Sequence, residues 1–169
     1  CRNATSYLKV SLTKISINNF RCFKNVDLQL SPGINLFFGK NGSGKTSILE
    51  SVFIFSSGKS FKSSNLASLV NYENDKFTLK AFDNLKGYIV EIEKNRNKPI
   101  SVLLNNKKIT TSKLIKEFPC TPIHNNTFSF ADASPDFRRK LLDRSIFISE
   151  KSFSECWFSY YRSLKQRNS

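Results

Sequence analysis

A glycine-rich octapeptide, Gly39-Lys40-Asn41-Gly42-Ser43-Gly44-Lys45-Thr46, constrains the fold of this chain more than any other feature. It satisfies the pattern G-x-x-x-x-G-K-[ST], which works only between a strand and a helix. The apolar residues 34–38 before it predict a strand, and their continuous hydrophobicity favours a central position in a sheet. An apolar stripe at helical spacing predicts a helix over residues 45–55, with Gly58 as its C-terminal stop. The octapeptide therefore predicts a strand–loop–helix unit in an α/β fold.

The residue types in the octapeptide are those that bind the phosphates of a nucleotide. Its three glycines let the backbone curl, so that amide N–H groups form a nest for anionic oxygens at the start of the helix. Lys45 supplies an ammonium for the β and γ phosphates, and Thr46 offers a hydroxyl to Mg²⁺. Lys40, Asn41 and Ser43 belong to the predicted site as members of the loop, although Lys40 and Asn41 can equally face solvent. The sequence predicts binding of ATP with Mg²⁺.

Composition and charge narrow the class of protein. The chain has 169 residues and a net charge of +14, which favours polyanionic partners such as nucleic acid, although a bias towards Lys, Asn, Ile and Phe also arises in AT-rich genomes. No run of about 18 apolar residues exists, so no membrane span is expected. Without a signal peptide, a cytoplasmic location is expected. The scattered Cys1, Cys22, Cys120 and Cys156, with His124 as the one histidine, predict reduced thiols and no zinc site.

Hydrophobic patterns along the chain predict the remaining elements and a division into lobes. Further strands are predicted at residues 12–17, 26–30, 76–82, 87–93, 99–104 and 120–123. Helices are predicted at residues 66–70, 112–118, 134–148 and 152–169. We expect residues 1–10 to be a lead-in, residues 11–133 to form an ATPase lobe, and residues 134–169 to begin a helical lobe.

Several stretches resemble one protein family. Residues 12–23 and 34–46 are similar to the start of ATPase heads of the SMC and Rad50 class. Residues 57–63 contain a G-[RK]-S-F-[RK] segment, residues 134–143 match S-P-x-x-R-R-x-x-L-D, and residues 161–168 end in L-K-Q-R-N. In this order the segments resemble the RecF family of bacterial recombination proteins over residues 11–169.

That resemblance implies a P-loop NTPase of the ABC type and a role in DNA replication, recombinational repair and the SOS response. It implies a homodimer formed with ATP, binding to single-stranded and gapped double-stranded DNA, loading of recombinase, and RecR and RecO as partners. The family's signature motif and Walker B acids lie beyond residue 169. We therefore expect an N-terminal fragment that does not hydrolyse ATP, and a weak DNA-linked ATPase in the full-length protein.

Single residues outside the loop also carry predictions. Arg21 lies where related heads place a basic residue near the nucleotide and is predicted to bind it. Lys59 and Lys62 flank Phe61 and are predicted to contact DNA or nucleotide, with a solvated loop as the alternative. Glu50, one turn after Thr46, is predicted to be a surface acid, with a supporting group behind the nucleotide site as the alternative. The segment His124-Asn125-Asn126 stands where the family usually has Ser/Thr-Pro-Glu, a departure from the family's pattern.

Two rival functions remain open from the sequence. One is a small-molecule kinase or nucleotide hydrolase, although such kinases usually carry the loop near their N-terminus. The other is an SMC-like or Rad50-like head, which would continue into a long heptad-bearing coiled coil. The sequence downstream of residue 169 would separate these hypotheses.

Overall fold

The computed structural model describes residues 12–122, 134–150 and 152–168. The chain divides into two compact units, residues 1–121 and 122–169. The predicted lead-in and the segment His124-Asn125-Asn126 lie outside the described residues.

The first unit is built on a six-stranded antiparallel sheet. Its strands lie in the order β2-β1-β3-β4-β5-β6. Their bounds are β1 Leu12–Phe20, β2 Phe23–Gln29, β3 Lys76–Asp83, β4 Tyr88–Asn95, β5 Ser101–Leu104 and β6 Lys107–Lys108. The predicted hairpin of residues 76–93 is confirmed as β3 and β4, which pair along their whole length.

One face of the sheet carries the core, because alternate residues of a strand point to the same side. Two helices, α1 (Lys45–Ser57) and α2 (Thr111–Glu117), contribute residues to this core. The fully buried side chains include Ile15, Ile17, Phe77, Leu79, Val90 and Ile92 from the strands, with Ile54, Phe55 and Leu114 from the helices. Burying each such side chain stabilises the fold by about 1.5–3 kcal/mol.

The opposite face of the sheet is covered by pairs of opposite charge. Lys80 bonds Glu91 at 2.9 Å and Lys76 bonds Glu93 at 2.8 Å. A hydrogen bond from the Ser16 hydroxyl, together with Lys14, lowers the pKa of Asp27. Such exposed pairs add little stability, but they neutralise this face.

The prediction of a central strand at residues 34–38 is wrong, because the structure has no strand there. The segment pairs with no strand among the described residues, and Ile34, Leu36 and Phe38 are 94%, 81% and 88% exposed. A strand exists only when a neighbour accepts and donates its backbone hydrogen bonds. Residues 120–122, part of another predicted strand, are also not in a strand.

The second unit contains two helices, α3 (Pro135–Ser149) and α4 (Phe153–Arg167), and both predicted helices are confirmed. The Trp157 indole N–H donates to Asp143 at 3.4 Å, which links the two helices. Neither these helices nor those of the first unit, within the described ranges, have the length and hydropathy that crossing a bilayer requires.

Candidate functional site

The glycine-rich loop leads directly into helix α1, as predicted. Gly44 occupies the N-cap position with φ 91° and ψ 3°, in the left-handed region that L side chains rarely adopt. A Cβ atom on Gly44 would lie 2.3 Å from Cζ of Phe23, the first residue of β2. Backbone conformation and packing therefore both require glycine here, and the ring of Phe23 forms part of the support of the loop.

Hydrogen bonds from Lys45 hold the loop closed. Its ammonium donates to the carbonyl oxygens of Gly39 and Lys40, at 2.8 Å each. The Ser43 amide donates to the Lys40 carbonyl at 3.2 Å, which completes a turn inside the loop. Lys45 also lines the cavity at the start of α1, so its side chain is accessible to an anion there.

A cavity of about 280 Å³ opens at the beginning of α1. The side chains with hydrogen-bonding groups that line it are neutral or basic, and none is a carboxylate. The lining residues are Cys22, Asn41, Gly42, Gly44, Lys45, Thr46, Ser47 and Lys62. Five residues of the predicted loop line the cavity, whereas Gly39, Lys40 and Ser43 are not part of its lining. Helix N–H groups and ammonium groups together make a site for an anion.

The site offers few ligands for a metal by itself. Among the described residues no group of three or more His, Cys, Asp and Glu side chains could hold a metal ion. The exposed Thr46 is the predicted Mg²⁺ ligand. Magnesium in nucleotide sites commonly takes one or two protein ligands and completes its shell with phosphate oxygens and water. The donor set therefore fits Mg²⁺ that arrives with a polyphosphate.

Arg21, predicted to bind nucleotide, forms an ion pair with Glu50. Arg21 lies in the turn between β1 and β2, and its Nη2 donates to Oε1 of Glu50 at 2.9 Å while its Nε donates to Oε2. The hydrogen bonds that Arg21 donates to the Glu50 carboxylate raise the pKa of Arg21 above its ordinary value. Arg21 does not line the cavity, but its neighbour Cys22 does.

The prediction that Glu50 is a surface acid is wrong. Glu50 is 0% exposed, and its carboxylate accepts hydrogen bonds from Arg21 and from the Ser60 hydroxyl. Residues 50–51 and 53–57 of α1 are all buried, so the helix has no exposed face there. A buried carboxylate is tolerated only with such partners. Arg21 is 29 residues away in sequence, so no local pattern predicted this pairing.

The segment after α1 separates the two predicted DNA-binding lysines. It doubles back along the helix, because Gly58 ends α1 while Ser60 reaches Glu50 in the middle of it. Lys62 consequently lines the cavity at the start of α1. Lys59 stays at the other end, where its amide and carbonyl bond the Ser57 hydroxyl.

Comparison with known proteins identifies the family of this chain. A family model described as an AAA domain matches residues 14–165. The chain belongs to the AAA domain family. It is 38% identical over 164 residues to a DNA replication and repair protein RecF from Glaesserella parasuis serovar 5 (strain SH0165), covering 94% of this chain and 45% of the relative. A RecF from Shewanella woodyi (strain ATCC 51908 / MS32) is 36% identical, with 94% and 44% covered. The predicted resemblance to RecF is confirmed, and the chain spans about 45% of the length of these relatives.

Solved structures confirm the predicted fold class. A structure of the recombination mediator protein RecF with ATP, from the RecFOR pathway, superposes with a TM-score of 0.84 at 26% identity and covers 95% of this chain and 45% of that one. A structure from work on ATP-driven dimerization and DNA-stimulated activation of SMC ATPases has a TM-score of 0.63 at 20% identity, with 79% and 98% covered. This second likeness concerns the fold alone.

Proposed function

We propose that this chain is the nucleotide-binding part of a RecF-type, ATP-dependent protein of DNA replication and repair. The chain binds ATP with Mg²⁺ through residues 39–46, with the ammonium of Lys45 on the terminal phosphates and the hydroxyl of Thr46 on the metal. Similarity to RecF proteins, one of which is described with ATP, supports this assignment.

The observation that carries the proposal is the lining of the cavity at the start of α1, which contains two lysines and no carboxylate. Its volume of about 280 Å³ lies at the lower end of the range of about 300–1,000 Å³ for small-molecule sites. A cavity of this size fits the phosphate end of a nucleotide. We therefore expect the base and sugar to be bound largely by groups other than the lining residues.

Calorimetric titration of Mg-ATP into the intact protein tests the nucleotide site. Lys45→Ala is expected to reduce affinity by at least about tenfold, because a charge-assisted hydrogen bond contributes roughly 1.5–3 kcal/mol. Lys59→Ala, a lysine at the opposite end of α1, is the matched control and should bind normally. Unchanged affinity in Lys45→Ala would overturn the assignment.

For DNA, we propose contact with the phosphate backbone that does not depend on sequence. The net charge of +14 supports this, and affinity should fall steeply as salt is added, with a linear log–log slope. By resemblance to the family, the preferred forms are single-stranded and gapped double-stranded DNA. Binding that is insensitive to salt would contradict the proposal. Fast turnover of a metabolite, indifferent to DNA, would favour the rival kinase or hydrolase.

The remaining features of the proposal also follow from the resemblance. We propose a homodimer that closes when ATP binds, RecR and RecO as partners, participation in the SOS response and a cytoplasmic location. Sedimentation of the intact protein with and without ATP tests the first of these, and a monomer at every ATP concentration would contradict it.

A further inference from the structure

A hydrogen-bonded cluster around the buried Glu50 connects three segments of the first unit. Glu50 lies in the middle of α1, Arg21 lies in the β1–β2 turn, and Ser60 lies in the segment that doubles back. The Glu50 carboxylate accepts from both partners. Each of those partners is close in sequence to a lining residue of the cavity, namely Cys22 or Lys62.

The Ser60 hydroxyl links the Glu50 carboxylate to the backbone of Lys62. While it donates to the carboxylate, the same oxygen accepts the backbone N–H groups of Lys62 and Ser63, at 2.9 Å each. The backbone at Lys62 is thus anchored to the centre of α1 through one hydroxyl. Its exposed side chain lines the cavity, and its ammonium has no ion-pair partner in the described part of the chain.

Two further hydrogen bonds, besides the ion pair with Glu50, hold the turn that contains Arg21 in place. Its backbone N–H donates to the Leu69 carbonyl at 2.7 Å, and its carbonyl accepts from the Asn71 side chain at 3.0 Å. Loss of the ion pair with Glu50 would leave these two bonds in place. The Ser60 segment also contacts α1 through the ring of Phe61, which lies against that of Phe53 with centroids 5.7 Å apart.

We propose that Glu50 is a positioning residue of the nucleotide site, which fixes Lys62 at the phosphate cavity through the Ser60 hydroxyl. The bound group is the anionic phosphate chain of a nucleotide, and Glu50 itself touches neither phosphate nor metal. This inference rests on the proposed function.

The test is a double-mutant cycle between Ser60 and Lys62 in the intact protein, with Mg-ATP affinity measured by calorimetry. Ser60→Ala removes the anchor and leaves the ion pair between Arg21 and Glu50 intact. We expect it to weaken binding roughly threefold to tenfold, the effect of one hydrogen bond. Lys62→Ala should weaken binding by at least about tenfold. The double variant should bind no more weakly than Lys62→Ala alone, since Ser60 acts through Lys62.

Controls separate positioning from general loosening of the loop. Ser60→Thr keeps the hydroxyl and should retain most of the affinity. Ser63→Ala removes a neighbouring hydroxyl, which bonds Asn65 and Ser68 but not Glu50, and should leave affinity unchanged. Ser60→Ala should also melt within a few degrees of the parent, so that a folding defect is recognised.

The outcomes distinguish this inference from the proposed function. Additive losses in the cycle, or unchanged affinity in Ser60→Ala, would overturn the role of Glu50. Normal affinity in Lys62→Ala together with lost affinity in Lys45→Ala would also overturn it, while the nucleotide site itself would stand. Normal affinity in Lys45→Ala would remove the proposed function and the inference with it.

Discussion

Gly44→Ala is expected to destabilise the protein by two separable effects. An alanine held at φ 91° is in the left-handed region, which costs about 1–2 kcal/mol. Its Cβ would also lie 2.3 Å from the ring of Phe23, and overpacking of this kind costs about 1–3 kcal/mol. Together the two effects amount to about 2–5 kcal/mol, a large part of the 5–15 kcal/mol that stabilises a typical protein.

Gly42→Ala is the matched control for the backbone effect. Gly42 has φ 82°, but no heavy atom lies within 4 Å of the position of its added Cβ. It should therefore lose only about 1–2 kcal/mol. The difference between the two variants measures the collision with Phe23.

The assay is urea denaturation of the intact protein, in which the unfolding transition of the first unit is followed. Combining Gly44→Ala with Phe23→Leu should restore part of the loss, with a coupling energy of about 1 kcal/mol or more. Equal destabilisation by Gly44→Ala and Gly42→Ala, with no coupling to Phe23, would refute the reasoning that the ring supports the loop.

Three further predictions concern the sheet and the segment beside it. Leu79→Ala should cost about 2–5 kcal/mol in denaturant unfolding, whereas Leu85→Ala, in an exposed turn, should cost less than about 0.5 kcal/mol; similar losses would contradict the assigned core. Ser16→Ala should raise the pKa of Asp27 towards its ordinary value in a carboxyl-detected NMR titration. Because the folded pKa is lowered, this interaction stabilises the protein above the unfolded pKa and is lost as pH falls through the folded one. An unmoved pKa would exclude the hydrogen bond. Backbone amide hydrogens of residues 34–38 should exchange with solvent rapidly in the isolated 169-residue chain and slowly in a protein of the full length of its relatives. Equally rapid exchange in both would show that no strand pairs with them.

Local patterns were sufficient to predict most elements of this chain. The hairpin of β3 and β4 follows from alternation and a turn, and α3 from a serine, proline and aspartate at its start. The loop conformation follows from its glycines. Each of these depends on residues that are near one another in sequence, so no tertiary information was needed.

Two features depended on contacts that the sequence does not display. The apolar residues 34–38 predict a buried strand, but burial requires neighbouring residues to cover the segment. An open apolar cavity of about 310 Å³ is lined by Asn35 of this segment and by the preceding Gly33. Glu50 has the charge of a surface residue, yet the chain brings Arg21 and Ser60 to it from opposite directions. Arg21 and Ser60 are 29 and 10 residues from Glu50 in sequence, and helical or strand periodicity does not predict contacts at these separations.

The most direct measurement is an NMR titration of the intact protein, labelled with ¹⁵N-glycine, with Mg-ATP. If amide hydrogens of the curled loop bind the phosphates, the resonances of Gly42 and Gly44 should shift strongly and saturate together. Gly87, in the turn between β3 and β4, should not move, and adenosine should leave all three unchanged. Loop resonances that stay in place at saturating Mg-ATP would contradict phosphate binding by this loop.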